Sequence, residues 1–242
     1  MKIKSAEIVR VKRPDGPSLA GRSQAGGTLS ASMAPAQKSP SRRKAWPTEI
    51  EVANPMSRFP RFKPRRQLYA ASQWPGFAVK VTAEDGTWGL GTAAGRPAAA
   101  VIEDAFAHIL IGEDCLAIEK AWEMMFRVSK SFGTVGIATV AISAVDLALW
   151  DLAGKLQQKP VYELIGGPVR DRIFTYATGD DVDWYKELGF KAFKLPCQYG
   201  PADGLWGLEQ NERRVSEARE TIGDDCELML DCYMAFDVEY SV

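Results

Sequence analysis

The sequence predicts an α+β unit followed by the beginning of a parallel α/β sheet. Two observations support this fold class. Apolar residues alternate with polar ones in the stretches 3–12 and 77–92, whereas from Arg96 they recur every three or four residues, as in a helix that buries one face. From Arg172 onward, short apolar runs alternate with helical segments, which is typical of parallel strands joined by crossover helices.

In the first part, a strand is expected over residues 3–12, and two more over 77–81 and 87–92 around a turn at 84–86. Three helices follow, with apolar faces at positions 101, 105, 108, 109 and 112, then 118, 122, 125 and 126, then 142, 145, 149 and 152. The third helix is expected to end near Gly154. Pro160 then begins a short helix that ends at Gly166 and Gly167. We interpret His108 as a packed core residue, because it lies on an apolar face.

In the second part, the pattern predicts strands over 173–177, 191–195 and 227–230, and helices over 182–188, over 208–222 and from Phe236 onward. Parallel sheets bind their ligands at the carboxyl ends of the strands. Three polar residues stand at those ends, namely Thr178, Lys194 and Asp231. They are therefore the first candidates for a functional site.

Charge is unevenly distributed along the chain. Residues 1–70 carry 15 Lys and Arg against 4 Asp and Glu, whereas residues 71–242 carry 15 against 27. The stretch 14–47 is rich in Gly, Ser, Ala and Pro and has almost no apolar periodicity. We therefore expect a mobile basic loop over residues 14–66 within a first domain, 1–165, that precedes a second domain, 166–242.

The basic residues of this loop have two interpretations. They could form a surface that binds nucleic acid or another anion, or they could be solvated and meet an anionic substrate. No recognised nucleic-acid-binding module accompanies them, which disfavours a nucleic-acid partner.

The cysteine and histidine contents exclude several classes of site. The four cysteines are Cys115, Cys197, Cys226 and Cys232. They have no C-x-x-C spacing and are too few for a disulfide framework, so a cytoplasmic location is expected. A zinc site or a catalytic triad would depend on His108, the single histidine. The N-terminus lacks the apolar core of a signal peptide. The most apolar window, 136–154, contains two aspartates and is interpreted as a buried helix, with no membrane association.

Three stretches of the chain form a distinctive set: VAISAVDLALWDLAGKLQQKPVYELIGGPVRD at 140–171, GFKAFKLP at 189–196 and LMLDCYMAFDVEYSV at 228–242. They resemble the cap-to-barrel junction and the second and third barrel strands of the enolase superfamily, mandelate racemase subgroup. Arg66 and the segments NPMSRF (54–59) and YGPADG (199–204) resemble one branch, the acid-sugar dehydratases of the L-rhamnonate dehydratase type. The resemblance covers about residues 1–12 and 53–242.

This resemblance implies an α+β capping domain followed by the first part of a (β/α) TIM-type barrel. It also implies a Mg²⁺-dependent hydro-lyase that abstracts the proton next to the carboxylate of a rhamnonate-like sugar acid and eliminates the 3-hydroxyl. Asp231 matches the first of three metal carboxylates; the alternative is an aspartate that caps the next helix. Lys194 could contact the substrate carboxylate or only form a structural ion pair. Arg66 matches a substrate-binding arginine of the cap loop, or is one more solvated cation.

The chain also departs from the family pattern. Pro196 stands where many relatives carry a basic lysine, and a proline cannot accept a proton. The branch uses a histidine paired with an aspartate as base, and these groups, like the other two metal ligands, are expected beyond Val242. We therefore expect an inactive fragment whose full-length form is a homo-oligomer. Two alternatives remain: a truncated, non-catalytic homologue that acts in assembly or regulation, and a basic-loop module that binds anions or nucleic acid.

Overall fold

The computed structural model of the chain describes residues 1–9, 52–59, 62 and 76–242. They fall into two compact units. The first unit contains residues 1–9 and 76–171, and the second contains 52–59, 62 and 172–242. The division thus lies between Asp171 and Arg172, and the predicted domain boundary between residues 165 and 166 stays a prediction. Most of the predicted mobile loop, 14–66, lies outside the described residues.

The first unit contains an antiparallel sheet of three strands in sequential order. The strands are β1 (Ile3–Val9), β2 (Gly76–Ala83) and β3 (Trp88–Ala94). Alternation along β2 buries Phe77, Val79 and Val81 in the core. At the turn to β3, the Asp85 carboxylate accepts hydrogen bonds from the amide and the hydroxyl of Thr87, at 2.9 and 3.0 Å. The predicted strands and their hairpin are confirmed over the described residues, and residues 10–12 of the first predicted strand lie outside them.

The helices of the first unit follow the sheet. They are α1 (Arg96–Val101), α2 (Ala107–Leu110), α3 (Ile118–Ser129), α4 (Ile137–Gln157) and α5 (Val161–Leu164). Helix α4 packs against β3 and β2, and its predicted apolar face at positions 142, 145, 149 and 152 is buried. By length and composition alone α4 could cross a membrane, but half of its most apolar window is buried inside the first unit. Its interpretation as a buried helix is confirmed.

The predicted end of α4 near Gly154 is wrong, because the helix continues to Gln157. It ends where Gln158 adopts a left-handed conformation, with φ of 53°. Gly154 has a different role. A Cβ atom at this position would lie 2.9 Å from the carbonyl oxygen of Lys159, so the glycine allows the chain to pass close to the helix.

The interpretation of His108 as a packed core residue is also wrong, since its side chain is exposed. A π-helical turn, Ile102–Phe106, separates α1 from α2. The fully buried positions are Ile102, Phe106 and Leu110, each four residues from the next. A π-helical turn is wider than an α-helical one, so it shifts the buried face. The prediction assumed 3.6 residues per turn throughout and therefore placed His108 on the buried face.

Asp146 is a partly buried carboxylate on α4, and burial raises its pKa above the ordinary value near 3.8. The folded state therefore holds a proton that the unfolded state has already released, so stability falls as the pH rises from about 4 through the raised pKa. We expect Asp146→Asn to raise the midpoint of thermal unfolding at pH 7 and to flatten its decline over that range. Scanning calorimetry at several pH values measures both effects, with the exposed Asp104→Asn as control. An unchanged midpoint at pH 7 would contradict this prediction.

The second unit contains a parallel sheet of three strands in sequential order. The strands are β4 (Ala177–Thr178), β5 (Ala192–Pro196) and β6 (Glu227–Asp231), and the helices are α6 (Val182–Glu187), α7 (Gly204–Ile222) and α8 (Val238–Ser241). Phe193 and Leu195 of β5 pack with Ala218 and Ile222 of α7 in its core. The predicted alternation of strands and crossover helices is confirmed.

Two elements of the second unit begin four residues away from their predicted starts. Strand β4 is confined to residues 177–178, and Ile173 and Phe174 are 78% and 64% exposed. In the register of the sheet Ala177 pairs with Phe193, so residues 173–175 would align with the turn that precedes β5 and have no strand to pair with. Helix α7 begins at Gly204, whereas the prediction began it at residue 208. The prediction missed the first turn because that turn is mostly exposed and lacks apolar periodicity.

Candidate functional site

The register of the second sheet brings the predicted site residues to one edge. Thr178 pairs with Lys194, and Pro196 pairs with Asp231, the last residue of β6. Lys194 itself pairs with Met229, two residues before Asp231. Side chains two residues apart on a strand point to the same face, so Lys194 and Asp231 share a face at the carboxyl ends of their strands.

Lys194 and Asp231 form an ion pair. The Lys194 Nζ atom lies 3.2 Å from Asp231 Oδ2, and the two side chains are only 24% and 29% exposed. The ammonium also lies 5.2 Å from the centre of the Tyr176 ring, within the range of a cation–π interaction. The pair is therefore partly withdrawn from water but still accessible to a small ligand.

The charge state of Lys194 follows from these neighbours. Partial burial lowers the pKa of the Lys194 ammonium, but the hydrogen bond and negative charge of Asp231, together with Tyr176, outweigh it and raise that pKa above its ordinary value. Lys194 is therefore a cation at neutral pH. It can attract a carboxylate but cannot serve as a neutral base.

A tight turn follows Asp231. The other carboxylate oxygen, Asp231 Oδ1, accepts a hydrogen bond from the amide of Tyr233 at 3.1 Å. Tyr233 and Met234 both have positive φ, 46° and 58°, which is uncommon for residues with bulky side chains. Such conformations persist when the surroundings fix them, and they are concentrated at functional sites. The amide of Tyr233 in this turn therefore fixes the orientation of the Asp231 carboxylate through Oδ1.

The loop after β5 is fixed by a buried side chain of α7. Asn211 is 8% exposed, and its amide nitrogen donates to the carbonyl of Tyr199 at 2.9 Å. Within the loop, the Asp203 carboxylate accepts from the amide of Gly200 at 2.9 Å, and the Tyr199 ring contacts Trp206 edge to face at 5.0 Å. This is the YGPADG segment that resembles the dehydratase branch.

A distant segment of the chain reaches the same edge. The amide of Ala53 donates to the carbonyl of Cys197, just after β5, at 3.0 Å. The next residues form a short 3₁₀ turn, Pro55–Arg58, capped by Asn54, whose side chain accepts from the amide of Met56 at 2.9 Å. The prediction singled out NPMSRF by resemblance, but nothing in its local pattern indicated that it packs beside β5.

The sequence also failed to predict a second ion pair of this unit. The Arg214 guanidinium on α7 pairs with Asp180, and it donates to the carbonyl of Pro196 at 2.8 Å. Both side chains are largely buried, at 20% and 12% exposure. Arg214 looked like one of several charged residues on an exposed helix face. Only the fold shows that it holds the end of β5. Arg66, the other predicted substrate contact, lies outside the described residues.

The described residues do not make a magnesium site by themselves. Mg²⁺ prefers near-octahedral coordination by oxygen atoms, and it is usually held by one or two carboxylates together with water or substrate oxygens. Asp231 supplies one carboxylate, and its nearest charged neighbour is an ammonium. In the described ranges, no group of three or more His, Cys, Asp or Glu side chains could hold a metal ion. No chemical step through a metal follows from this geometry alone.

Comparison with known proteins identifies the first unit. Residues 67–166 match the family model of the mandelate racemase / muconate lactonizing enzyme N-terminal domain. The match covers 100 of the 242 residues of the chain. The resemblance to the enolase superfamily, predicted above from the sequence, is thereby confirmed.

Individual relatives extend the similarity over both units. The chain is 46% identical over 191 residues to an L-rhamnonate dehydratase of Saccharopolyspora erythraea, covering 78% of this chain and 49% of that protein. A crystal structure of rhamnonate dehydratase from Gibberella zeae complexed with Mg matches with a TM-score of 0.81 and 30% identity, over 99% of this chain and 55% of that one. A second structure of L-rhamnonate dehydratase from Gibberella zeae gives a TM-score of 0.75 and 36% identity, over 79% and 49%.

The predicted fold class, an α+β domain followed by the first part of a (β/α) barrel, is confirmed by the two sheets together with these neighbours. The chain spans about half the length of the curated relatives it matches.

Proposed function

We propose that this chain belongs to a Mg²⁺-dependent acid-sugar dehydratase that acts on a rhamnonate-like substrate. Such an enzyme abstracts the proton next to the carboxylate and eliminates the 3-hydroxyl as water, which leaves a 2-keto-3-deoxy acid. The names of the relatives support the reaction class, and the magnesium complex of the Gibberella zeae enzyme supports the metal. A cytoplasmic location and a homo-oligomeric full-length form belong to the same proposal.

The observation that carries the proposal is the Lys194–Asp231 ion pair at the carboxyl ends of β5 and β6. This is the edge of a parallel sheet at which ligands bind. It holds one cation and one carboxylate on the same face, 3.2 Å apart, with partial exposure to water. A sugar acid and a divalent cation carry the complementary charges, so each side chain has a defined partner.

We assign Lys194 to the substrate carboxylate. Its raised pKa keeps it charged, and the substrate carboxylate gains negative charge when the neighbouring proton leaves. A fixed cation at this point stabilises the charge that develops in the transition state. Arg66 is proposed as a second substrate contact, since a guanidinium can donate two parallel hydrogen bonds to a carboxylate or to neighbouring hydroxyls.

Asp231 is assigned as a metal ligand, and Mg²⁺ would supply positive charge beside the developing enediolate. The proposal requires further ligands and a base besides the groups that the described residues bring to this edge. Pro196, two residues after Lys194 on the same strand, has no proton-accepting group. His108 lies on α2 of the first unit and has no assigned role in the reaction.

The test compares two purified proteins: the 242-residue chain and the longest product encoded by the gene that contains it. Each is incubated with L-rhamnonate and a set of five- and six-carbon aldonic acids in buffer with Mg²⁺. We expect the longer product to form a 2-keto-3-deoxy acid and to exchange the α-proton in deuterated water. The 242-residue chain is expected to do neither, because its described residues contain no group of three or more His, Cys, Asp or Glu side chains that could hold a metal ion.

Omission of Mg²⁺ with added chelator is the control for the longer product. Racemisation without dehydration, or no turnover of any sugar acid, would contradict the proposed reaction. Turnover by the 242-residue chain itself, in a preparation free of longer forms, would also count against the proposal. It would mean that the further metal ligands and the base do not have to come from residues outside this chain.

A further inference from the structure

Two cysteine thiols meet at the same end of the second sheet. Cys197 Sγ lies 3.8 Å from Cys232 Sγ. Pro196 and Asp231 are the last paired residues of β5 and β6, and the amide of Cys197 donates to the carbonyl of Asp231 at 2.9 Å. Cys197 and Cys232 therefore lie directly after the ends of two neighbouring strands.

The general spacing of neighbouring strands is compatible with a disulfide at this position. Neighbouring strands lie about 4.8 Å apart, and a disulfide joins residues whose Cα atoms are about 4.4–6.8 Å apart. The sulfur atoms need to approach each other by about 2 Å to bond. Cys232 is followed by a turn outside the strand ladder, so rotation of its side chain does not break a hydrogen bond of the sheet.

The other two cysteines have no such neighbour. Cys115 is buried in the core of the first unit. Cys226 precedes β6, six residues before Cys232, and an extended strand of that length separates the two by about 20 Å. The close pair is specific to Cys197 and Cys232.

We propose that Cys197 and Cys232 are an oxidisable thiol pair that forms an intramolecular disulfide with a hydroperoxide. Cys232 reacts first, because it is partly exposed whereas Cys197 is 2% exposed. Its sulfur attacks a peroxide oxygen, the O–O bond breaks, and a sulfenic acid and one water form. The Cys197 sulfur then attacks the Cys232 sulfur, the S–O bond breaks, and a second water leaves with the Cys197 proton. Two thiols lose two electrons in total, and hydrogen peroxide is reduced to two waters.

The bond links the ends of β5 and β6 immediately beside the Lys194–Asp231 pair. It fixes the main chain of the residue that follows Asp231, and with it the turn through Tyr233 and Met234. Oxidation thereby acts on the candidate functional site without touching either charged side chain. The thiol pair stands on its own geometry and not on the proposed function, so its test uses no activity measurement.

The test is a disulfide map of the 242-residue chain, treated with hydrogen peroxide in the native state. The remaining thiols are alkylated under denaturing conditions. Trypsin cleaves after Lys194 and Arg219, and a glutamyl endopeptidase cleaves after Glu227, which separates Cys226 from Cys232. We expect a linked pair of peptides that contain Cys197 and Cys232, lost on reduction, with Cys115 and Cys226 alkylated.

Two variants, each with one cysteine replaced by serine, serve as controls. Cys226→Ser should keep the 197–232 link, and the partly exposed Cys232→Ser should remove it and leave Cys197 alkylated. Wild-type protein in which Cys197 stays alkylated while Cys232 carries a sulfinic acid or joins a second chain would overturn the proposal. A link between Cys232 and Cys226 would also overturn it.

Discussion

Asp231→Asn is expected to lower sugar-acid turnover at least about a hundredfold in the longest gene product, and to abolish its saturable Mg²⁺ binding. A metal ion contributes several kcal/mol of charge stabilisation in the transition state, and each 1.4 kcal/mol changes the rate tenfold. Asparagine keeps the size of the side chain and its acceptor for the amide of Tyr233, but it loses the charge. Steady-state kinetics and calorimetric titration with Mg²⁺ measure the two effects.

Asp225→Asn is the matched control, because Asp225 is an exposed aspartate before the same strand, at its amino end. It should leave both measurements unchanged. If Asp231 only caps the turn that follows it, Asp231→Asn would lower stability and leave Mg²⁺ affinity and turnover near the wild-type values. That result would remove Asp231 from the metal site.

Local sequence patterns were sufficient wherever one strand or helix buries a face defined by its own periodicity. Strand β2 was predicted over residues 77–81, and the helical spacing of α4 predicted its buried positions 142, 145, 149 and 152. The same holds for the ends of the parallel strands: Lys194 and Asp231 were placed at one edge because the carboxyl ends of parallel strands always meet there.

The patterns failed where a neighbouring segment decides the conformation. Ile173 and Phe174 have the composition of a strand, but the register of the sheet gives them no partner. His108 lies beyond a π-helical turn, which no apolar repeat of 3.6 residues can represent.

The contacts of the candidate site could likewise not be predicted from local sequence patterns. The charges of Lys194 and Asp231 were visible in the sequence, and the question left open was whether the lysine contacts substrate or forms an ion pair. The fold shows the ion pair, which is compatible with both roles once a ligand competes for either partner. The backbone hydrogen bond between Ala53 and Cys197, at the end of β5, joins residues more than a hundred positions apart. Neither the composition nor the spacing of the sequence predicts such a contact.

Gly91→Val is expected to destabilise the first unit by roughly 3 kcal/mol, at the upper end of the cost of overpacking a core. Gly91 lies on β3 where α4 crosses it. A Cβ atom there would overlap the carbonyl oxygen of Ala144 and lie 2.8 Å from the amide nitrogen of Ala148. Both are backbone atoms of a helix and cannot rotate away. The strand and helix must separate, which exposes the apolar face of α4 and breaks the 2.8 Å hydrogen bond from the Leu90 amide to Asp151.

Urea unfolding followed by circular dichroism measures this loss, and Gly76→Val is the matched control. Gly76 lies on the neighbouring strand β2, where a Cβ atom would be 3.7 Å from its nearest neighbour, the carbonyl oxygen of Ala93. That is an ordinary contact distance, so the control should stay within about 0.5 kcal/mol of wild type. Equal stability of the two variants would mean that α4 and β3 do not pack at backbone contact, because a loss caused by valine in a strand would affect both positions alike.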